Sequence, residues 1–206
     1  MRILLAAVLL GGTLLAPTGT AAPACKHLIT DPAGDVDPLG SPPVVDDQEF
    51  VDVLAVDLKT DRKTVTAAFT VVDINPEQAS LLQHNFSVYF GSMGQRYSML
   101  AVDKPDGDEF SVWAVDGQDY SDAGATAWSE HRLGVVTGSF DALRNVVTVT
   151  APLSLFRETG GLKGALTEVH AISWTGAGAL DASVSGSDDF TDRVPGYTMG
   201  KPSCVR

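Results

Sequence analysis

The chain has 206 residues, with 14 Lys and Arg against 26 Asp and Glu, a formal net charge of -12 and 44% hydrophobic residues. Those figures describe one globular domain rather than a disordered or coiled-coil chain. They argue against nucleic acid as a partner, because a polyanion requires a basic face and this chain would repel it.

Met1-Arg2, the apolar run Ile3 to Leu15 and the small-x-small site Ala22-Pro23-Ala24 read as a secretory signal peptide over residues 1–24, leaving residues 25–206 as an exported domain. The apolar run is shorter than the ~20 residues a membrane-spanning helix requires, and no later segment is longer, so no transmembrane segment is expected. Cleavage there would put Cys25 at the new N-terminus, where a bacterial lipoprotein carries its lipid. Ala22 and Pro23 lack the aliphatic residue that such a site has three positions before its cysteine, so a lipid anchor is the minority alternative. Cys204 is the other cysteine, and in an oxidising compartment the two are expected to form a structural disulfide. Such a bridge closes nearly the whole exported chain into one loop, worth up to ~4 to 5 kcal/mol in the chain-entropy picture.

Short strands then follow one another. Glu49 to Leu58 alternates with apolar residues on both faces, and the polar turn Thr60 to Lys63 leads into Thr64 to Val72. There Val65, Ala67, Phe69 and Val71 share one face against mostly threonine on the other, which predicts a hairpin. Asn85 to Phe90, Tyr97 to Val102 and Phe110 to Val115 are separated by a Gly91 to Gly94 turn and by Pro105-Asp106-Gly107. Further strands are expected at Trp128 to Leu133, Val135 to Phe140, Asn145 to Ala151 and Glu168 to Trp174. One short helical turn is expected at Leu153 to Arg157, started by Pro152 and stopped by Gly160-Gly161. Pro38 to Asp47 reads as a loop, and Thr175 to Arg193, rich in Gly, Ala, Ser and Asp, as a long irregular return. The pattern predicts an all-β fold: a single jelly-roll-like β-sandwich of two mainly antiparallel sheets, with at most one short helix.

The acids gather at the two ends of the domain, with Asp31, Asp35, Asp37, Asp46, Asp47, Asp52 and Asp57 early and Asp181, Asp188, Asp189 and Asp192 late. A disulfide joining the ends would make the two groups neighbours, so they either point apart into water or hold a cation between them. Asp31-Pro-Ala-Gly-Asp35 offers two carboxylates around a turn-permitting glycine, and hard oxygen ligands of this kind suit calcium rather than zinc or copper. Asp52, on the expected strand face of Phe50, Leu54, Val56 and Leu58, turns toward a core edge. An unsatisfied charge there is costly, so a metal, an arginine or backbone N–H groups must meet it.

The run Asp31 to Asp35, the strand opening Val51-Asp52-Val53-Leu54, Lys59-Thr60-Asp61 and Val65 to Phe69 ending in Val71-Val72-Asp73-Ile74 resembles the start of secreted bacterial β-sandwich domains. These are related to carbohydrate-binding family 9 and DOMON-like modules. Ala151 to Phe156 and the ending Tyr197 to Cys204 also resemble secreted actinobacterial members. The resemblance implies a jelly-roll-like sandwich, a structural calcium and extracellular ligand binding. Residue by residue it implies Asp31, Asp35 and Asp52 as metal ligands, with Asp189 or Asp192 a weaker match. DOMON modules that bind haem use Met and His; Met99 and His170 are present, but their spacing does not recommend them.

Neither a G-x-S-x-G elbow nor an H-E-x-x-H helix is present, and His170, on a strand face with Ile172 and Trp174, reads as a hydrogen-bonded structural histidine rather than a base. Aromatic rings that stack on a pyranose are the remaining route to a sugar ligand. Trp113 and Trp174 read as core, and Tyr120 and Trp128 as the better exposed candidates. The expectation is therefore a monomeric, exported, non-catalytic domain that carries calcium and recognises an extracellular polysaccharide or another cell-surface component. A secreted hydrolase without a sequence signature and a structural envelope protein that binds a protein partner are the alternatives.

Overall fold

The computed structural model describes residues 25–38, 48–74, 83–116, 129–176, 186–194, 196–201 and 204–205. The expected leader and the ligand candidates Tyr120 and Trp128 lie outside them. The described chain forms two antiparallel sheets. The smaller contains β1 (Ile29–Thr30), β3 (Val53–Thr60), β4 (Thr64–Val71), β9 (Thr137–Asp141) and β10 (Val146–Pro152), in the order β1-β3-β4-β10-β9. The larger contains β2 (Asp37–Pro38), β5 (Gln83–Ser92), β6 (Gln95–Asp103), β7 (Glu109–Asp116), β8 (Ser129–Val135), β11 (Ala165–Gly176) and β12 (Gly186–Val194). Its order is β2-β12-β11-β5-β6-β7-β8, with β13 (Tyr197–Thr198) added against β11. The expected all-β sandwich is the observed architecture.

Period-two alternation decides which face of each sheet turns inward. In β4, Val65, Ala67, Phe69 and Val71 all enter the interior cluster, opposite Phe86, Val88 and Phe90 of β5. The outer face of β4 and its neighbours is a threonine and serine ladder, with Thr66 bonded to Thr150 and Ser139 to Thr148 at 2.9 Å each. Fully burying one such Val or Phe contributes roughly 1.5–3 kcal/mol, so the interior between the sheets dominates the stability. The β3–β4 turn is tied by Asp61, whose carboxylate accepts from the N–H groups of Lys63 at 2.6 Å and Thr64 at 2.7 Å. The β5–β6 turn is shorter, with Met93 and Gly94 both at positive φ, 54° and 82°, the backbone that a tight two-residue hairpin requires.

Three local expectations are corrected. Glu49 to Leu58 does not begin as a strand: α1 (Gln48–Val51) forms a single turn that drives Phe50 and Val51 inward, and Ser173 Oγ donates to the Val51 carbonyl. A register shift between Val53 and Ala55 then changes the phase, so Val53 and Val56 both reach the interior and Leu54 stays half-buried. Thr175 to Arg193 is not a wholly irregular return, because its last part is β12, paired from Gly186 to Val194 along β11. Its Gly, Ser and Asp have poor strand propensity, and the ladder to β11 overrides it. Trp113, expected in the core, is partly exposed on the opposite face of the larger sheet, whereas Trp174 on that same face is buried as expected. The expected helical turn is present as a 3-10 helix over Leu153–Thr159 that ends on Gly160 at φ 102°.

The chain ends meet. Cys25 and Cys204 form a disulfide with Cα atoms 5.4 Å apart, spanning 179 residues, as expected. No helix among the described residues is long and apolar enough to cross a membrane.

Candidate functional site

The larger sheet turns one face to the core and the other outward, and its register lines up four planar side chains and one serine across five strands on the outward face. Arg132 of β8 pairs with Trp113 of β7, Trp113 with Ser98 of β6, Ser98 with Tyr89 of β5, and Tyr89 with His170 of β11. Neighbouring strands are about 4.8 Å apart, so these side chains are in mutual reach. The Tyr89 and His170 rings stack with centroids 5.0 Å apart and planes 10° from parallel. The Arg132 guanidinium lies 5.8 Å from the Trp113 ring centroid, within cation–π range. Arg132 also pairs with Glu109, which holds Lys104 at 3.2 Å on its other oxygen. Trp113, Tyr89 and His170 are each partly exposed.

Between the rings the side chains of Ser87, Ser98, Ser111 and Asn85 are small, polar and buried. Ser87 and Ser98 share a hydrogen bond of 2.7 Å, and Trp113 Nε1 donates to Ser111 Oγ at 3.0 Å. Asn85 Nδ2 donates to the carbonyl of Trp174 at 3.3 Å. Trp174 is only 7% exposed, and its indole N–H is buried with no acceptor among the described residues. An unmet buried donor costs about 1–3 kcal/mol. The chain that carries Tyr120 and Trp128 connects β7 to β8, the strands of Trp113 and Arg132.

The acidic residues are placed by a crossing between the sheets. After β1 the chain leaves the smaller sheet through Asp31 to Val36 and joins the edge of the larger one as β2. Asp52, 4% exposed, anchors this loop by accepting from the Gly34 N–H at 2.6 Å, and the Asp31 N–H donates to the Leu54 carbonyl at 3.0 Å. Backbone N–H is thus one answer to the charge on Asp52. Asp31 is half-buried and Asp35 exposed, and the oxygens of Asp31, Asp35 and Asp52 do not gather within 4.8 Å of one another. Asp189 and Asp192 lie on β12, and Asp37 of β2 pairs with Ser187 of the same strand, so the early and late acidic segments do run side by side.

A buried histidine that the sequence did not point to lies at one end of the larger sheet. His84, 1% exposed, stacks on Phe50 at 4.1 Å, and its Nδ1 is 3.1 Å from Asp103. Asp103 in turn shares a hydrogen bond with Asp108. Partial loss of water, then the Asp103 charge and that shared bond, hold the Asp108 carboxyl above its ordinary value. The signal was present in the hairpin: counting outward from the Met93-Gly94 turn places His84 directly opposite Asp103.

No family model matches the chain, and no curated protein and no solved structure matches it. The fold and the site together define an all-β, disulfide-closed sandwich with an aromatic row on one outer face.

Proposed function

We propose that this is an exported, non-catalytic binding module that recognises an extracellular polysaccharide or another cell-surface component through the outer face of its larger sheet. The observation that carries this is the cross-strand row of Trp113, Tyr89 and His170 set among serines. A flat, partly exposed ring buries the apolar face of a sugar. The outer face of the smaller sheet, a threonine and serine ladder, has no comparable feature among the described residues. Binding of this kind accords with the resemblance to carbohydrate-binding family 9 and DOMON-like modules. His84 is the best-placed titratable group for the alternative, a hydrolase, but at 1% exposure it meets no substrate in this conformation.

Calcium belongs to the same proposal, held by the crossing loop of Asp31 and Asp35 with Asp52 and the neighbouring acids Asp189 and Asp192. It would stiffen the passage between the sheets without touching the ligand.

The test is retention of the purified protein on a panel of insoluble polysaccharides and cell walls, with calcium and with EDTA. Trp113→Ala should lower retention about 10-fold or more, as truncation of a central aromatic contact does, with an unchanged circular dichroism spectrum. Tyr89→Ala should also weaken retention, because it removes the partly exposed ring that stacks on His170. EDTA should lower the melting temperature. Wild-type retention by both variants would sink the proposed face, and an unmoved melting temperature would remove the calcium.

A further inference from the structure

The disulfide has ionisable neighbours that a plain covalent link does not need. His27 Nδ1 lies 2.5 Å from Asp57 Oδ2, and a His27 ring nitrogen, an Asp57 oxygen and Cys204 Sγ are all within 4.8 Å of one another. Cys25 Sγ is bonded to Cys204 Sγ, so four side chains able to ligate a metal meet at one point. Asp57 is 6% exposed on its side chain and His27 39%, so the group is open on one side and walled on the other.

We propose that in its dithiol state this clasp is a zinc-type metal site formed by Cys25, Cys204, His27 and Asp57. A dithiol reductant opens the bridge: its two S–H bonds give two electrons and two protons to the paired sulfurs, and it becomes the disulfide. Cys25 and Cys204 are then thiols, and each loses its proton to solvent as its thiolate binds the cation.

Three features favour this. The donor types, two sulfurs with one imidazole and one carboxylate, suit a borderline-soft tetrahedral ion and not calcium or magnesium. Zinc at its usual bond lengths sets its donors about 3.3 to 3.8 Å apart, so donors within 4.8 Å need shifts of only about an ångström. Third, the fold keeps both cysteines in place without their bond, because both flanking segments are docked on β3. On the N-terminal side the Leu28 N–H donates to Asp57 Oδ1 at 2.9 Å and Ile29 pairs with Val56. On the C-terminal side Gly200 N–H donates to Thr60 Oγ1, the Thr60 N–H to Tyr197 Oη at 3.2 Å, and Lys59 Nζ to the Val205 carbonyl at 3.3 Å. Opening the bridge therefore leaves two thiols side by side next to a carboxylate, where a divalent cation relieves the repulsion between the anions.

The experiment is a Co2+ titration of the protein in two states, with its disulfide intact and after reduction by a phosphine and removal of all metal. The reduced protein should take up one equivalent, with the near-ultraviolet thiolate-to-cobalt band and the visible bands of tetrahedral coordination, and one equivalent of Zn2+ should erase them. The oxidised protein should show neither. The double variant Cys25→Ser, Cys204→Ser should lose the thiolate band, and His27→Ala should weaken binding by about 10- to 100-fold. If the reduced chain unfolds, Zn2+ should restore its β-sheet circular dichroism. A reduced protein with no thiolate band, equal affinity of His27→Ala and wild type, or an unfolded reduced chain that Zn2+ fails to restore would each overturn the proposal.

Discussion

Single side chains do their work here by meeting backbone groups that the fold leaves over. Asp61 gathers three donors in one turn, the N–H groups of Lys63 and Thr64 and the Thr64 hydroxyl at 2.9 Å, and the two backbone bonds chiefly hold its carboxyl below the ordinary value of 3.8. A lowered folded-state value means that Asp61 stabilises the fold above pH 3.8 and that this contribution disappears as acid protonates the folded carboxylate. Asp61→Asn is therefore expected to be less stable than wild type at neutral pH and to approach it below that point. Urea denaturation at a series of pH values measures this, and a constant gap down to the most acidic condition would show that the charge has no part. Asp108 has the opposite sign, since its raised value costs stability as pH rises and the carboxyl is forced to ionise.

Between elements, close approach sets the limits. Gly138 on β9 faces the ring of Phe110 on β7, and a Cβ there would fall 2.2 Å from Phe110 Cδ1 and 2.4 Å from the Thr148 carbonyl. Neither neighbour yields easily: Phe110 packs on the interior cluster and its ring centroid is 5.6 Å from that of Phe140, while the Thr148 oxygen belongs to the β10 ladder. Gly138→Ala should destabilise by about 1–3 kcal/mol, the usual cost of overpacking, with the denaturant midpoint as the measurement. A midpoint within error of wild type would mean that β9 moves freely away from β7. Much at this scale was legible in the sequence. The β3–β4 and β5–β6 hairpins, the 3-10 helix after Pro152 and the inward set of β4 all follow from alternation and turn residues. The bulge after Val53 was not, because an extra residue leaves no mark in an apolar stretch that is buried on both sides.

For the whole molecule, the disulfide is the longest-range constraint, linking positions 179 residues apart. The chain-entropy picture assigns such a loop up to ~4 to 5 kcal/mol, and typical measured values are 2–4. Because β1, β13 and the Thr60 N–H that donates to the Tyr197 hydroxyl already hold both end segments to the sheets, the double variant Cys25→Ser, Cys204→Ser should lose about 2–4 kcal/mol and remain folded. Its thermal unfolding would report the loss, and a variant without a cooperative transition would show that the hydrogen bonds at the ends depend on the bridge.

Composition, period and turn residues determined the fold class, most of the strands and the pairing of the two cysteines, because each is a local or counting property of the chain. The aromatic row on the outer face was decided only by tertiary structure. Trp113, Tyr89 and His170 are far apart in sequence, and their alignment depends on the register of β7, β6, β5 and β11. Alternation places a residue on one face or the other, but it does not say which face of a sheet finds a second sheet. Trp113, read as core, is partly exposed because the interior between the sheets was filled by the residues alternating with it, Val112 and Ala114. The same limit applies to His27, Asp57 and Cys204, which the crossing of the chain ends over β3 brings to one point and no spacing in the sequence records.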